Sequence, residues 1–386
     1  MSREYLFTSE SFSEGHPDKI ADLISDAVLD AYLEKDPESK VSCNTLITNN
    51  LIVISGEVSS DAKIFHEEIA KNVIREVRYT PIFSDFNPDA CTVITNIKEI
   101  NATQSYFFTN SNSERSKTES GIAFGYAVDE TEEYMPLPIS MANKIISKFN
   151  SIRKDEKHKG IGPDSTAQAT ILYRDGKPVS INSISLTLQH APSYSRGDVL
   201  DIFDERLLCT RMFPSRYMTS EFSTHINTIG KVIEGGPSVK TGVSGRKLNA
   251  DTYGGRCPVG SHFSGKDASK TERSAAYMAR YIAKNIVAAE LASECTIQLS
   301  YTSNVNNPIS TMVDLHGTGK VDESKLGKYI SEIFDLTPAG IVKLLQLKRP
   351  VFYNTAAYGH FGRKGNIFTW ESTDRVSELK GLFLVN

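Results

Sequence analysis

The chain has 386 residues, more than one hydrophobic core usually serves, so two or three domains are expected. Its apolar share of 39% and charged share of 23% are those of a soluble globular protein, and a net charge of −4 argues against nucleic acid as the main partner. Cys43, Cys91, Cys209, Cys257 and Cys295 form no CxxC pair, which excludes a zinc ribbon or disulfide framework; no apolar run reaches about 18 residues, and the cytoplasm is the expected compartment.

Residues 17–34 open the readable pattern. Ile20, Leu23, Ile24, Ala27, Val28, Ala31 and Tyr32 repeat at helical spacing, with Ser13 or Gly15 ahead and Pro17 in a first turn that tolerates it. Residues 44–58 read as two β-rich runs around Asn49–Asn50, 65–77 as an amphipathic helix and 90–97 as a strand. Residues 101–120 are rich in Asn, Ser and Thr and carry no period, as in a mobile loop. Residues 141–149 look helical, and 153–160 (RKDEKHKG) form an exposed connection. Residues 167–173 and 179–189 resemble strands paired around Asp175–Gly176, followed by a helix at 200–206. The strongest helix spans 271–292, where Ala275, Ala276, Met278, Ala279, Ile282, Ala283, Ile286 and Val287 make a small-residue face; Ser269 and Glu272 have capping-box spacing at its start. Strands at 296–301 and 309–315 and helices at 325–334 and 338–345 complete the chain. Strands and helices alternate without a βαβ rhythm, which points to an α+β protein of several sheet-and-helix layers.

Two stretches carry chemistry. Residues 245–274 hold Arg246, Lys247, Arg256, Lys266, Lys270 and Arg273 among Asp251, Asp267 and Glu272, with five glycines. Cations suit phosphate oxygens, carboxylates suit a divalent metal and glycines allow close backbone approach; a solvated charged face is the alternative. Gly15-His16-Pro17-Asp18-Lys19 opens the first helix, whose unpaired N–H groups attract phosphate. There His16 can hydrogen-bond a phosphate or leaving oxygen, Asp18 can hold Mg²⁺ and Lys19 adds charge, or the motif is simply a helix cap. Lys266 and Lys270, four apart, can point at one phosphate chain with Glu272 on its metal. Neither a G-x-x-x-x-G-K-[ST] nor a G-x-S-x-G motif occurs, and His158, His190, His225 and His262 lack metal-ligand spacing.

FTSESFSEGHPDKIADLISDAVLDAYLEKDP, FGYAVDETEEYMP, SGRKLNADTYGG, FSGKDASKTERSAAYMARYIAKNIVAA and TAAYGHFGR, in this order and across nearly the whole chain, resemble the S-adenosylmethionine synthetase (methionine adenosyltransferase) family. The resemblance implies three similar α+β domains about a pseudo-threefold axis, here 1–101, 115–233 and 234–374, with a mobile loop at 102–114. It implies ATP and methionine as partners, S-adenosylmethionine as product, release and hydrolysis of tripolyphosphate, and a homodimer or tetramer with sites between subunits. It gives His16, Arg246, Lys247, Lys266 and Lys270 to catalysis. Asp164, Thr166, Val232 and Lys240 join His16, Arg246, Lys247 and Lys266 at the nucleotide, and Glu57, Gln104, Lys240 and Lys270 fall to the acceptor. Asp18, Glu272 and Glu10 fall to metal. Mg²⁺ is implied, with K⁺ as a second ion although Asn44 stands where the family carries an acid.

The departures cluster at this site. Residues 117–121 (KTESG) replace a glycine-rich loop, Thr166 stands for a phosphate-binding lysine, Val232 for an adenine-packing aromatic, Glu272 for an aspartate and Lys240 for an aspartate facing the acceptor's ammonium. Three readings follow: a synthetase with a rearranged site, an enzyme with another acceptor, or a non-catalytic subunit of a standard synthetase.

Overall fold

The computed structural model describes residues 3–100, 120–155, 160–208, 212–219 and 222–383. In chain order its main elements are β1 (Glu4–Phe12), α1 (Pro17–Lys35), β2 (Lys40–Thr48), β3 (Leu51–Ser59), α2 (His66–Val77), β4 (Thr92–Glu99), β5 (Gly121–Val128) and α3 (Leu137–Lys154). Then come β6 (Ile161–Arg174), β7 (Lys177–His190), α4 (Arg196–Phe203), β8 (Ser223–Ile226), β9 (Gly242–Val243), α5 (Leu248–Asp251) and α6 (Thr271–Ala288). β10 (Glu294–Tyr301), β11 (Ser310–Asp314), α7 (Glu323–Ile333), α8 (Pro338–Leu344) and α9 (Val376–Phe383) follow.

The strands form three sheets in the orders β1-β6-β7-β8, β11-β10-β5 and β4-β3-β2-β9. One long helix lies against each sheet: α3 on β1 and β6, α6 on β5 and β10, α1 on β2. This is an α+β fold built as a threefold repetition of sheet and helix. Two sheets recruit a strand from far away in sequence, since β1 pairs antiparallel with β6 and β5 pairs antiparallel with β10.

Alternation fixes which face of each strand packs. Along β2, Val41, Cys43, Thr45 and Ile47 turn inward, whereas Asn44 and Leu46 are exposed. α6 presents Ala275, Ala276, Ala279 and Ala283 to its sheet, and a Cβ on Gly125 would lie 2.0 Å from the Ala279 carbonyl carbon. The small-residue face read from sequence is therefore the device that lets α6 approach β5. Apolar side chains form two clusters, one shared by the β2–β3 and β5–β10 sheets and one between α3 and β6–β7.

Several expectations shift. The helix at 141–149 runs from Leu137 to Lys154, because Pro138 sits in the first turn, where proline costs nothing. The helix from 271 stops at Ala288, and Glu290 turns the chain at φ 61°. β1 escapes sequence reading because its inward positions beyond Phe7 are the serines Ser9 and Ser11. The capping box at Ser269 does not form: Lys270 is the N-cap, Ser269 N donates to Asp267 (2.7 Å), and Glu272 is held by Lys266. The loop read at 101–120, with Gln104 and all of 117–121 before Ser120, lies outside the described residues.

Candidate functional site

The start of α1 is pinned before it is used. Ser13 Oγ donates to the Pro163 carbonyl (2.6 Å) and accepts from Ser165 N (2.8 Å), while Tyr79 OH donates to the Gly15 carbonyl (2.6 Å). Glu14 is clamped by Arg153 and by Lys154 (2.6 Å). A Cβ on Gly15 would lie 2.3 Å from the Pro163 carbonyl oxygen, so only glycine fits where the loop crosses β6. Gly15→Ala is expected to cost about 1–3 kcal/mol through overpacking and roughly 10²-fold in turnover through displacement of His16. Urea unfolding and steady-state rates check this, and wild-type stability with wild-type rate would contradict it.

His16 is the N-cap of α1 and is buried. Its Nδ1 accepts from Asp18 N (3.2 Å), which leaves the ring proton on Nε2. Burial, reinforced by the charges of Lys247, Lys240 and Lys19 against the opposing Asp18, pulls its pKa down to about 3. Its ring meets Phe12 edge-on at 4.8 Å, and the Lys247 ammonium lies 4.5 Å from the centre of the same ring. The result is a neutral donor among cations.

Asp18 gathers the next residues. Its Oδ1 accepts from Val243 N (2.9 Å), Lys247 Nζ lies 3.0 Å from Oδ2, and Arg246 stands 3.7 Å from Oδ1. Asp164, two residues before Thr166 on β6, accepts from Gly236 N (2.9 Å); burial pushes its carboxyl up. Gln189 ties Asp164 N to Ile233 O (3.1 and 3.0 Å), which fixes Val232 nearby, where its own N–H meets His190 Nε2 (3.3 Å).

A second group surrounds Lys266, whose ammonium binds Glu272 and Ser261 Oγ (3.1 Å). Burial works against ionisation of Glu272, but the bound Lys266 holds its carboxyl below the usual range. His262 is drawn to about 4 by burial and by Lys266, and its Nε2 meets Asn44 Oδ1 at 2.9 Å. Lys266 bridges Ser42 on β2, and Ser42 is registered with the exposed Glu57 on β3. The His262 side chain packs over Gly245, next to Arg246, so the two groups adjoin. Lys270 is half-buried at the start of α6. Glu10 is exposed on the face of β1 shared with Phe12 and pairs with Gln168.

The charged stretch at 245–274 divides in three dimensions. Arg246, Lys247 and Lys266 remain at the two groups. Arg273 is fully buried on Asp26 (2.9 and 3.0 Å), and Arg256 sits against Glu130 and Glu294 among Phe7 and Tyr173. Asp251 takes the buried Lys19 ammonium (2.5 Å), which also holds Asp22 (2.8 Å), and Asp267 accepts from Val41 N (2.7 Å). Asp251, Asp267 and Lys19, which the sequence offers to metal and phosphate, are each taken up by partners inside the protein. Sequence reading missed Asp22 and Asp26, which accept from Gly245 N and Gly265 N (2.8 Å each) and so position the loops bearing Arg246–Lys247 and Lys266. Their signal was available: Asp18, Asp22, Ser25 and Asp26 recur at helical spacing inside an otherwise apolar helix. Among the described residues no three His, Cys, Asp or Glu side chains converge as a metal cage, and no helix is long and apolar enough to cross a membrane.

A neutral donor at a helix start, ringed by lysines and arginine and lying next to a second cationic group, suits a polyanion. Residues 4–102, 115–232 and 234–372 match in turn the N-terminal, central and C-terminal domains of S-adenosylmethionine synthetase, so the chain belongs to that family. Among curated relatives it is 42% identical to the S-adenosylmethionine synthase of Wolinella succinogenes over 384 residues, covering 99% of both chains. It is 43% identical to that of Sulfurovum sp., covering 98% of this chain and 99% of the relative, and 42% identical to that of Helicobacter hepaticus, covering 98% of both.

Proposed function

We propose that the chain transfers the adenosyl group of ATP to the sulfur of methionine, giving S-adenosylmethionine. The observation that carries this reading is full-length family membership combined with His16, Lys247 and Arg246 gathered on Asp18 at the start of α1. A methionine sulfur lone pair attacks C5′, the C5′–O bond breaks, and tripolyphosphate leaves with the electron pair. The thioether becomes a sulfonium without losing a proton, so the site needs no general base. What it needs is preorganised positive charge where the leaving oxygen gains electrons. His16 Nε2–H donates there, while Lys247, Arg246 and Lys266 hold the phosphate chain and Lys270 approaches from α6. Asp164 and Val232 line the nucleotide side and Glu57 the acceptor side, to which Gln104, outside the described residues, is also assigned.

Asp18 and Glu272 are hard oxygen donors of the kind Mg²⁺ takes alongside substrate phosphates. When bound, the ion would neutralise polyphosphate charge. At Asn44 the side-chain oxygen is engaged by His262, which argues against K⁺ at that position. Hydrolysis of tripolyphosphate to pyrophosphate and phosphate, and assembly as a homodimer or tetramer, belong to the same reading.

Purified protein with ATP, Mg²⁺ and methionine should yield S-adenosylmethionine with equal pyrophosphate and phosphate, resolved by chromatography. Intact tripolyphosphate as product would remove the hydrolysis step. Absence of any adenosylated product would overturn the reading, and product only with a different thioether would reassign the acceptor.

A further inference from the structure

Residues 236–243 thread between the two carboxylates of the His16 group. At one end Gly236 N donates to Asp164, and at the other Val243 N donates to Asp18, both at 2.9 Å. Between them Lys240 N returns to the Gly236 carbonyl (3.1 Å), so the Lys240 backbone is fixed by a turn. The Lys240 charge acts on both His16 and Asp164. Its ammonium is exposed and has no carboxylate within ion-pair distance among the described residues. The other cations acting on His16 are engaged: Lys247 by Asp18, and Lys19 by Asp22 and Asp251.

Thr166 is paired with Phe12, the ring that His16 and Lys247 both touch, and stands two residues past Asp164 on β6. Beside Phe12 the strand therefore presents a hydroxyl and no cation, while residues 236–243 offer a cation with no ion-pair partner among the described residues.

We propose that Lys240 supplies the leaving-group cation that Thr166 cannot, so that the charge has moved from β6 to the segment facing it. The proposal rests on the reading of the His16 group as the polyphosphate site and assigns Lys240 to the leaving group rather than to the acceptor. Arg or Lys at 240, or Lys at 166, should then serve equally.

The test uses the full-length protein and two readouts: calorimetric binding of tripolyphosphate with Mg²⁺, and kcat and KM for ATP and methionine. Lys240→Met should weaken tripolyphosphate and kcat/KM for ATP by about 10- to 100-fold, the scale of one lost charge-assisted contact, with KM for methionine within about two-fold. Lys240→Arg should retain binding, and adding Thr166→Lys to Lys240→Met should recover most of the loss. A Lys240→Met protein with unchanged tripolyphosphate binding, or with only its methionine KM raised, overturns the proposal, as does a folded double variant without recovery. If wild type binds tripolyphosphate yet makes no S-adenosylmethionine, the functional reading fails while the binding comparison still decides the role of Lys240.

Discussion

His16→Ala is expected to lower kcat for adenosyl transfer by roughly 10²–10³-fold while changing KM for ATP far less, the pattern of a donor that matters most in the transition state. The backbone N–H of Asp18 can only donate, so Nδ1 accepts and Nε2 carries the proton. Burial and the surrounding cations hold the ring neutral with a pKa of about 3. His16 therefore remains one and the same donor from pH 5 to pH 9, and no limb near pH 6.5 in the rate profile should disappear with its removal. A limb at that pH in wild type that is lost in His16→Ala would contradict a neutral donor. Stability follows with a definite sign. Because the folded pKa is lowered, the unfolded chain binds the proton first, so the contribution is present above about pH 6.5 and is lost as pH falls toward 3. His262, drawn to about 4, acts in the same direction. Unfolding midpoints measured from pH 7 to pH 4 should fall, and His16→Ala should flatten that fall.

Asp26→Ala is expected to destabilise the protein by about 3–5 kcal/mol, because it strands the Arg273 guanidinium in the interior. Both groups are fully buried, and Arg273 also donates to the Lys266 carbonyl (2.8 Å) and lies 4.2 Å from the centre of the Phe352 ring. Asp26 further accepts from Gly265 N, so the pair positions the backbone on either side of Lys266. Replacing both partners together, Asp26→Leu with Arg273→Met, should cost clearly less than the single change, since no charge is then left without a partner. Denaturant unfolding of the two single variants and the double gives the coupling. Equal stability of wild type and Asp26→Ala would show that the pair contributes nothing. Activity of the double variant should remain well below wild type even where stability recovers, because the loop bearing Lys266 has lost its anchors.

Most helices were legible from spacing, and the charged stretch raised the expectation of a polyanion site. The sequence could not show which partner each cation would meet. Arg273 and Lys266 look alike along the chain, yet one is buried on Asp26 from α1 and the other stands at Glu272 and Ser261. Asp251 resembled a metal ligand only until Lys19, 232 residues away, proved to occupy it.

What the chain by itself determined is local and chemical: apolar spacing placed α1, α2 and α6, the alanine face of α6 announced close packing, and ordered motifs carried the family resemblance. What only the tertiary structure decided is partnership. The threefold repetition of sheet and helix left no repeat in the sequence, because a sheet-on-helix core asks only for apolar residues of suitable size and not for the same residues three times. β1 and β5 join sheets built from distant segments, and Lys247 meets Asp18 across more than two hundred residues. Charge acts through space, so which carboxylate neutralises which cation is settled by packing and not by order along the chain.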